Sequence, residues 1–357
     1  MIKKIFSYLL FLAPVFFSWN TSLTAQTGGT RTYRFLDLPY SSREAALGGK
    51  VASMPVENLN FGLSNPSLLG ENTNNTLVLN YVNYFCDINF GSVGYAFKTS
   101  LPGYFSAGLR YINYGSFIAA DETGQITGRF TAAEYIFQAS YARIFDSLFT
   151  IGVTLKPLLS VLERYQSFGI AMDAGASWHN HDNLFTASVL LRNIGFQIDP
   201  YVKGHHEPIP FEIMAGLSQK LAHAPFRFIF TFQQLQKPDL LYPYPEDPEN
   251  PSTTTGNSTT GYTGFGRFTE NAFRHTLLGI EFLPFKSFTF SLGYNYQRRK
   301  ELQVPARIGM VGFSWGFELR LTRFSISYGR ASYHLAGASN HFSVSLNMGN
   351  LFSGKKL

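Results

Sequence analysis

The most specific chemical pattern in this sequence is a set of eight charged residues at positions where charge should be costly. Lys98, Arg110, Lys156 and Arg192, with Glu134, Asp173, Glu212 and Glu281, each fall in a short segment that alternates apolar with small or polar residues. In a strand, successive side chains point to opposite faces. Each of these charges then lies on the non-apolar face. Three pairs come from neighbouring segments with opposite sign: Arg110 with Glu134, Lys156 with Asp173, and Arg192 with Glu212. Such cross-strand pairs stabilise a sheet modestly. A solute-selecting pore would favour one sign, whereas this set is balanced. The pattern predicts a closed or filled interior held by ion pairs.

Other candidate constellations do not develop. His179-Asn180-His181-Asp182 and His205-His206-Glu207 sit in predicted connections without a distant ligand to complete a metal site. Gly264-Phe265-Gly266 lacks the Lys-Ser/Thr of a phosphate loop, and no Gly-x-Ser-x-Gly elbow occurs. A wall Ser/His pair using His275, read here as inward-facing, is the one hydrolase arrangement left open. Lone Cys86 has no partner for an internal disulfide. No catalytic, cofactor-binding or metal-ligating residue is assigned, and no cofactor is expected.

The elements that must position these charges are fourteen segments. They lie near 76–83, 89–98, 104–113, 132–143, 148–157, 167–178, 184–193, 211–220, 226–235, 273–282, 287–296, 307–316, 322–329 and 340–348. Ser287–Tyr296 is the clearest, with Phe288, Phe290, Leu292, Tyr294 and Tyr296 alternating with Ser, Thr, Gly and Asn. Ten residues at ~3.3 Å each, tilted ~45°, span roughly 23 Å, the height of an outer-membrane apolar band. Links after the even segments are short. Those after segments 3, 5, 7, 9, 11 and 13 are read as longer. This predicts a fourteen-stranded antiparallel transmembrane β-barrel, all-β, with short turns and both ends periplasmic.

Composition agrees with a barrel in outer-membrane lipid. There are 35 Phe and 20 Tyr, and the formal net charge of +6 is scattered, which argues against a nucleic-acid partner. Residues 1–25 read as a cleaved signal peptide: Lys3 and Lys4, an apolar run over Ile5–Phe17, then Thr24-Ala25. Past it, no run of eighteen apolar residues occurs, which excludes a helical membrane protein. Residues 26–75 do not alternate, yet carry Phe35, Leu36, Leu38, Leu47, Leu59, Phe61 and Leu63, which need burial. They are expected to form an N-terminal plug inside the barrel of residues 76–357. The longest loop, Leu235–Gly266, is rich in Pro, then in Ser, Thr and Gly. Tyr242 and Tyr244, on its stiff Pro-rich half, are candidate partner-binding anchors.

Several stretches carry a family resemblance. Ala45-Ala46-Leu47-Gly48-Gly49 followed by Asn65-Pro66 resembles the N-terminal region of the PorV-like branch of FadL-type barrels. Leu79–Tyr84, Tyr111–Gly115, Ala120–Gly124, Asp146–Phe149 and Leu191–Gly195, with residues 87–93, resemble the PorQ family of outer-membrane barrels of the Bacteroidetes type IX secretion system. The resemblance implies a FadL-like fold and a non-enzymatic role. That role is to hold a PorZ-like surface protein and, through it, a PorU-like sortase and a PorV-like barrel in the complex that retains secreted cargo. The alternative it leaves is the wider FadL-type role, transport of hydrophobic small molecules.

Overall fold

The computed structural model describes residues 31–349, apart from 87, 147, 242–263, 303–308 and 335–336. Fourteen strands form one closed antiparallel barrel in sequential order, β1 (Thr76–Asn83) pairing with both β2 (Asn89–Phe97) and β14 (Gly337–Asn347). Between them run β3 (Tyr104–Ala120), β4 (Ile126–Phe145), β5 (Phe149–Leu162), β6 (Tyr165–His179) and β7 (Phe185–Asp199). The circuit continues with β8 (Glu212–Lys220), β9 (Phe226–Phe232), β10 (Thr276–Phe285), β11 (Phe288–Asn295), β12 (Phe313–Arg320) and β13 (Phe324–His334). Closure leaves no unpaired edge, as a hydrocarbon solvent demands.

Alternation sorts the wall. On β11, Thr289, Ser291 and Asn295 are buried inward while Leu292 stays 47% exposed outward. Leu79, Val153, Val189, Phe230 and Phe317 likewise face out, on an apolar exterior. Rings gather at the short-turn end, with Phe97 stacked on Phe105 and contacts between Trp178 and Phe185 and between Phe226 and Phe282. At the opposite end Tyr294 meets Phe313 at 4.7 Å. An apolar band between aromatic girdles is the exterior of an outer-membrane barrel. Among the described residues, no helix is long and apolar enough to cross a membrane.

Three expectations about the connections are corrected. The link after β13, read as longer, is only residues 335–336, because β13 runs to His334 and β14 starts at Gly337. β3 and β4 extend to Ala120 and from Ile126, so their link is the five residues 121–125 rather than a long loop. Asp121 Oδ1 accepts from the backbone N–H groups of Thr123 and Gln125, closing the turn. The extension escaped detection because both its faces are wet, so alternation does not mark it. β5 and β6 are joined by Glu163-Arg164 alone, with Glu163 at φ +57°. That turn carries none of the Gly or Asn that usually betrays it. The long connections are 200–211, 233–275 and 296–312.

Residues 31–75 fill the barrel from the long-loop end to the short-turn end. Three short caps shape them. Ser41 accepts from Glu44 N–H to start α1 (Ser42–Ala46), Asn58 accepts from Asn60 N–H to start α2 (Leu59–Ser64), and Asn65 accepts from Ser67 N–H. Tyr33, Phe35, Leu36 and Tyr40 pack against inward Val82, Phe90, Ile112, Ile136 and Leu158. Lower down, Leu59, Leu63 and Leu69 meet Val78, Ala96 and Ala142. Wall glycines give the backbone room. A Cβ on Gly152 would sit 2.4 Å from the Pro66 carbonyl carbon, and one on Gly329 would sit 2.1 Å from the Ser42 oxygen.

Candidate functional site: the filled bore and the long-loop rim

The bore is held by charge. From α1, Arg43 donates to Glu281 of β10 at 2.6 and 2.8 Å and lies 3.2 Å from Glu318 of β12. Arg227 of β9 reaches Glu281 at 3.1 Å and Glu57 of the plug at 3.2 Å. Arg320 meets Glu318 at 3.0 Å and Glu57 at 3.8 Å. Three guanidinium groups thus face three carboxylates, with Arg43 and Glu281 at 3% and 0% exposure. Isolated charges at that depth would be expensive, and pairing with hydrogen bonds offsets the cost.

A second node lies across the bore. Lys50 of the plug donates to both oxygens of Glu212 at 2.7 and 2.8 Å, and Arg192 stands 3.6 Å from the same carboxylate. Lys156 pairs with Asp173 at 2.5 Å and donates to Asn193 Oδ1. Asn193 is itself buried beside Arg192 because β7 bulges there, its φ is +56°, and its N–H bonds Asp173. The bulge places two successive residues inside.

The eight charges singled out from sequence are therefore not one network. Arg110 and Glu134 are both buried, but they are not partners, because the register sets Ile112 opposite Glu134 and Ile136 opposite Arg110. Arg110 donates to the Leu63 carbonyl and lies over the Tyr40 ring at 5.0 Å. Glu134 instead accepts from Tyr114 at 2.5 Å and Ser160 at 2.8 Å. Lys98 is a correction: it leaves the lumen, lies in the turn past β2, and is 47% exposed beside Glu71. There, hydrogen bonds from Tyr104 and Lys98 hold the Glu71 carboxyl below its ordinary range.

Sequence reasoning missed Arg43, Lys50 and Glu57, which lie in a segment with no periodicity to place them. It also passed over Arg227 and Glu318, although alternation alone puts both on the inward face of β9 and β12. His179 lies on inward-facing β6 rather than in a turn, bonded to Thr186. His275 ends a helix and pairs with the Gln233 carbonyl, so it is not an inward strand residue. Tyr242 and Tyr244 lie outside the described residues. Among the described residues, no group of three His, Cys, Asp or Glu could hold a metal.

At the long-loop rim one feature stands apart. β3 pairs with β2 up to Asn113, and β4 pairs with β5 from Ala132. Beyond those points, Phe117–Ala120 and Ile126–Phe130 pair only with each other, while the Thr131 carbonyl still accepts from Glu163 N–H. The result is a free-standing hairpin arm. Phe117 stacks on Phe130 at 5.2 Å, and Ile118 and Ile126 are 60% and 72% exposed.

No family model matches the sequence, and no curated protein matches it. Solved structures of similar architecture include the Pseudomonas putida toluene transporter TodX, at 12% identity over 86% of this chain and 96% of that one, TM-score 0.49. The Ralstonia pickettii toluene transporter TbuX has 10% identity over 87% and 97%, TM-score 0.48. A Pseudomonas aeruginosa FadL homologue has 10% identity over 87% and 98%, TM-score 0.44.

Proposed function

We propose that this chain is a non-conducting outer-membrane anchor that holds a protein partner at the cell surface. The observation carrying the reading is the bore: residues 31–75 occupy it end to end, tied to β8, β9, β10 and β12 by ion pairs through Arg43, Lys50 and Glu57, and to β3 by the bond from Arg110 to the Leu63 carbonyl. A pore so filled has its useful surface at the rim, where the β3–β4 arm offers exposed Phe117, Ile118 and Ile126. The motif resemblance supports a finer version. In it the partner is a PorZ-like surface protein, linked to a PorU-like sortase and a PorV-like barrel of a type IX secretion system.

The experiment is capture of the tagged protein from detergent-solubilised membranes, comparing the unaltered chain with Ile118→Asp/Ile126→Asp. Truncating or charging a true anchor costs ~2 kcal/mol or more, roughly thirtyfold in affinity. Loss of the partner at unchanged barrel level supports the arm. Retention there, with loss in Tyr242→Ala/Tyr244→Ala, moves the contact to the longest loop. A surface complex that survives deletion of the whole protein refutes the reading.

A second reading is carriage of hydrophobic small molecules; TodX and TbuX, which share this architecture, are toluene transporters. One observation here favours it: the long-loop third of the bore is apolar, lined by Val82, Phe90, Ile112, Ile136 and Leu158. The chain's own Tyr33, Phe35, Leu36 and Tyr40 occupy it. Withdrawal of that segment would open an apolar chamber. Uptake of toluene or a fatty acid that depends on this protein would decide for transport.

A further inference from the structure

The connection from β9 to β10 ends in a twelve-residue helix, α3 (Gly264–His275), whose faces are inverted for a helix on a water-soluble protein. Its charged face is turned to the protein, with Arg267, 59% exposed, paired to Asp239 and the other two charges buried. Glu270 and Arg274 are both 7% exposed. Glu270 accepts from Arg274 Nε at 3.2 Å and from Tyr296 Oη at 2.5 Å, and Lys300 stands 3.9 Å away. Tyr296 and Lys300 belong to the next helix, α4 (Tyr296–Leu302). Asn271 accepts from Leu240 N–H and donates to the Pro238 carbonyl at 2.5 Å. The polar face is therefore committed to the protein. Phe265, Phe268 and Phe273 point away from it, 82%, 72% and 51% exposed.

What covers those rings follows from where they connect. α3 runs without a break into β10, whose outward residues Leu278, Ile280 and Phe282 belong to the lipid-facing band. Phe273 meets Tyr296 at 5.6 Å, Tyr296 meets Tyr294 at 6.4 Å, and Tyr294 meets Phe313 at 4.7 Å. Tyr294 and Phe313 lie on the outer face of β11 and β12 at the girdle. A chain of rings thus joins the exposed face of α3 to the barrel surface already in contact with hydrocarbon. A helix with an aromatic face at that height has the form of an interfacial anchor, and rings of this kind concentrate at the membrane–water boundary.

We infer that α3 is a membrane-surface anchor that lays Phe265, Phe268 and Phe273 into the outer leaflet beside β10–β12. The helix widens the barrel's hold on lipid beyond its strands. It also fixes the start of β10 and, through Glu270 and Tyr296, the connection between β11 and β12.

The test uses the full chain in nanodiscs of phosphatidylcholine, with Cys86→Ser removing the native thiol. Nitroxide labels are placed at Phe268→Cys, at Glu122→Cys in the tip of the β3–β4 arm, and at Ile280→Cys in the lipid-facing band. Collision with oxygen reports lipid and collision with a nickel chelate reports water. The expected result is an oxygen-to-nickel ratio at position 268 several-fold above that at 122 and approaching that at 280. A ratio equal to that at 122 overturns the inference, because the helix then stands in water. Shielding from both reagents also overturns it, because protein rather than lipid then covers the face. Phe265→Cys serves as a second position if the label at 268 disturbs the helix.

Discussion

Replacing Arg43 by Met should loosen the plug, and the size of the effect follows from the ion network. Arg43, Arg227 and Arg320 balance Glu281, Glu318 and Glu57. Methionine keeps most of the volume, so packing against Phe61 is largely retained, but the network is left one negative charge in excess. Glu281 keeps only Arg227 as a cationic partner and Glu318 keeps only Arg320. Breaking one member out of a buried pair costs about 3–5 kcal/mol. At 1.4 kcal/mol per tenfold, the population in which α1 has left the wall should rise roughly a hundred- to a few-thousandfold. Hydrogen exchange in nanodiscs reads this directly. The amides of Leu47 and Gly49, which bond to the carbonyls of Arg43 and Glu44, should exchange faster by that factor.

A second substitution separates charge from packing. Glu281→Leu added to Arg43→Met removes one charge of each sign and restores a balance of two against two. Replacing a buried ion pair with apolar groups is often nearly neutral. The double variant should therefore protect Leu47 and Gly49 better than Arg43→Met alone. The reasoning fails if Arg43→Met leaves exchange unchanged, or if the double variant is looser than either single one. In the second case Arg43 would act by shape, and the carboxylates would already be satisfied by Arg227 and Arg320.

Three further outcomes are expected. Gly329→Val puts a Cβ 2.1 Å from the Ser42 carbonyl oxygen, so it should destabilise the filled barrel by ~1–3 kcal/mol, read as a lower thermal transition on a heat-shift gel. Gly128→Val, with no atom near its Cβ, should be neutral. Single cysteines at Glu122 and Pro102, in a Cys86→Ser chain, should be labelled on intact cells by an impermeant reagent only at Glu122; the reverse would invert the barrel. Acid should release the plug's last turn from β3: the Glu71 carboxyl lies below its ordinary value, so its tether is present above the unfolded glutamate value and lost as pH falls through the folded one. Local exchange near Asn72 should rise there in the unaltered chain, and Glu71→Gln should abolish the pH response.

Much of the wall was legible because lipid imposes a rule that sequence must obey. An outward position in the band admits little but apolar side chains, so Phe290, Leu292 and Tyr294 announce β11 without help from any neighbour. The rule lapses where lipid ends. Residues 116–131 stand in water on both faces, so nothing forces alternation, and the arm looked like loop. The rule also says nothing of the inner face, where Val82, Phe90 and Ile112 are apolar because Tyr40 and Phe35 press against them. Lys98 misled by one step: it continues the alternation of β2 but falls in the turn, where its ammonium reaches water and Glu71. The partners of Glu281 and Glu212 were hidden for a different reason. Arg43 and Lys50 sit on a chain that crosses the bore without period, and only three-dimensional placement says which carboxylate each meets.

The same physics links the filling to the function proposed for the rim. A barrel of fourteen strands whose inner face carries Ser, Thr and Gly presents hydrogen-bonding groups that water would satisfy if the bore were open. Here Ser314 donates to the Ala46 carbonyl, Ser42 N–H bonds Ser343, and Ser53 donates to the Thr186 carbonyl. Those bonds join the inner face to the plug at three separate strands. Glycines at 152, 175, 216, 293, 316 and 329 go further, since each brings plug atoms within 3 Å of where a side chain would begin. Such fit constrains both partners at once: the wall has given up side chains to admit this segment, and the segment has no other surface of that shape to occupy. Opening the bore would leave paired carboxylates alone and glycine-lined strands facing empty space. The low-cost places to meet another molecule are then those the plug does not touch, the β3–β4 arm and the aromatic face of α3.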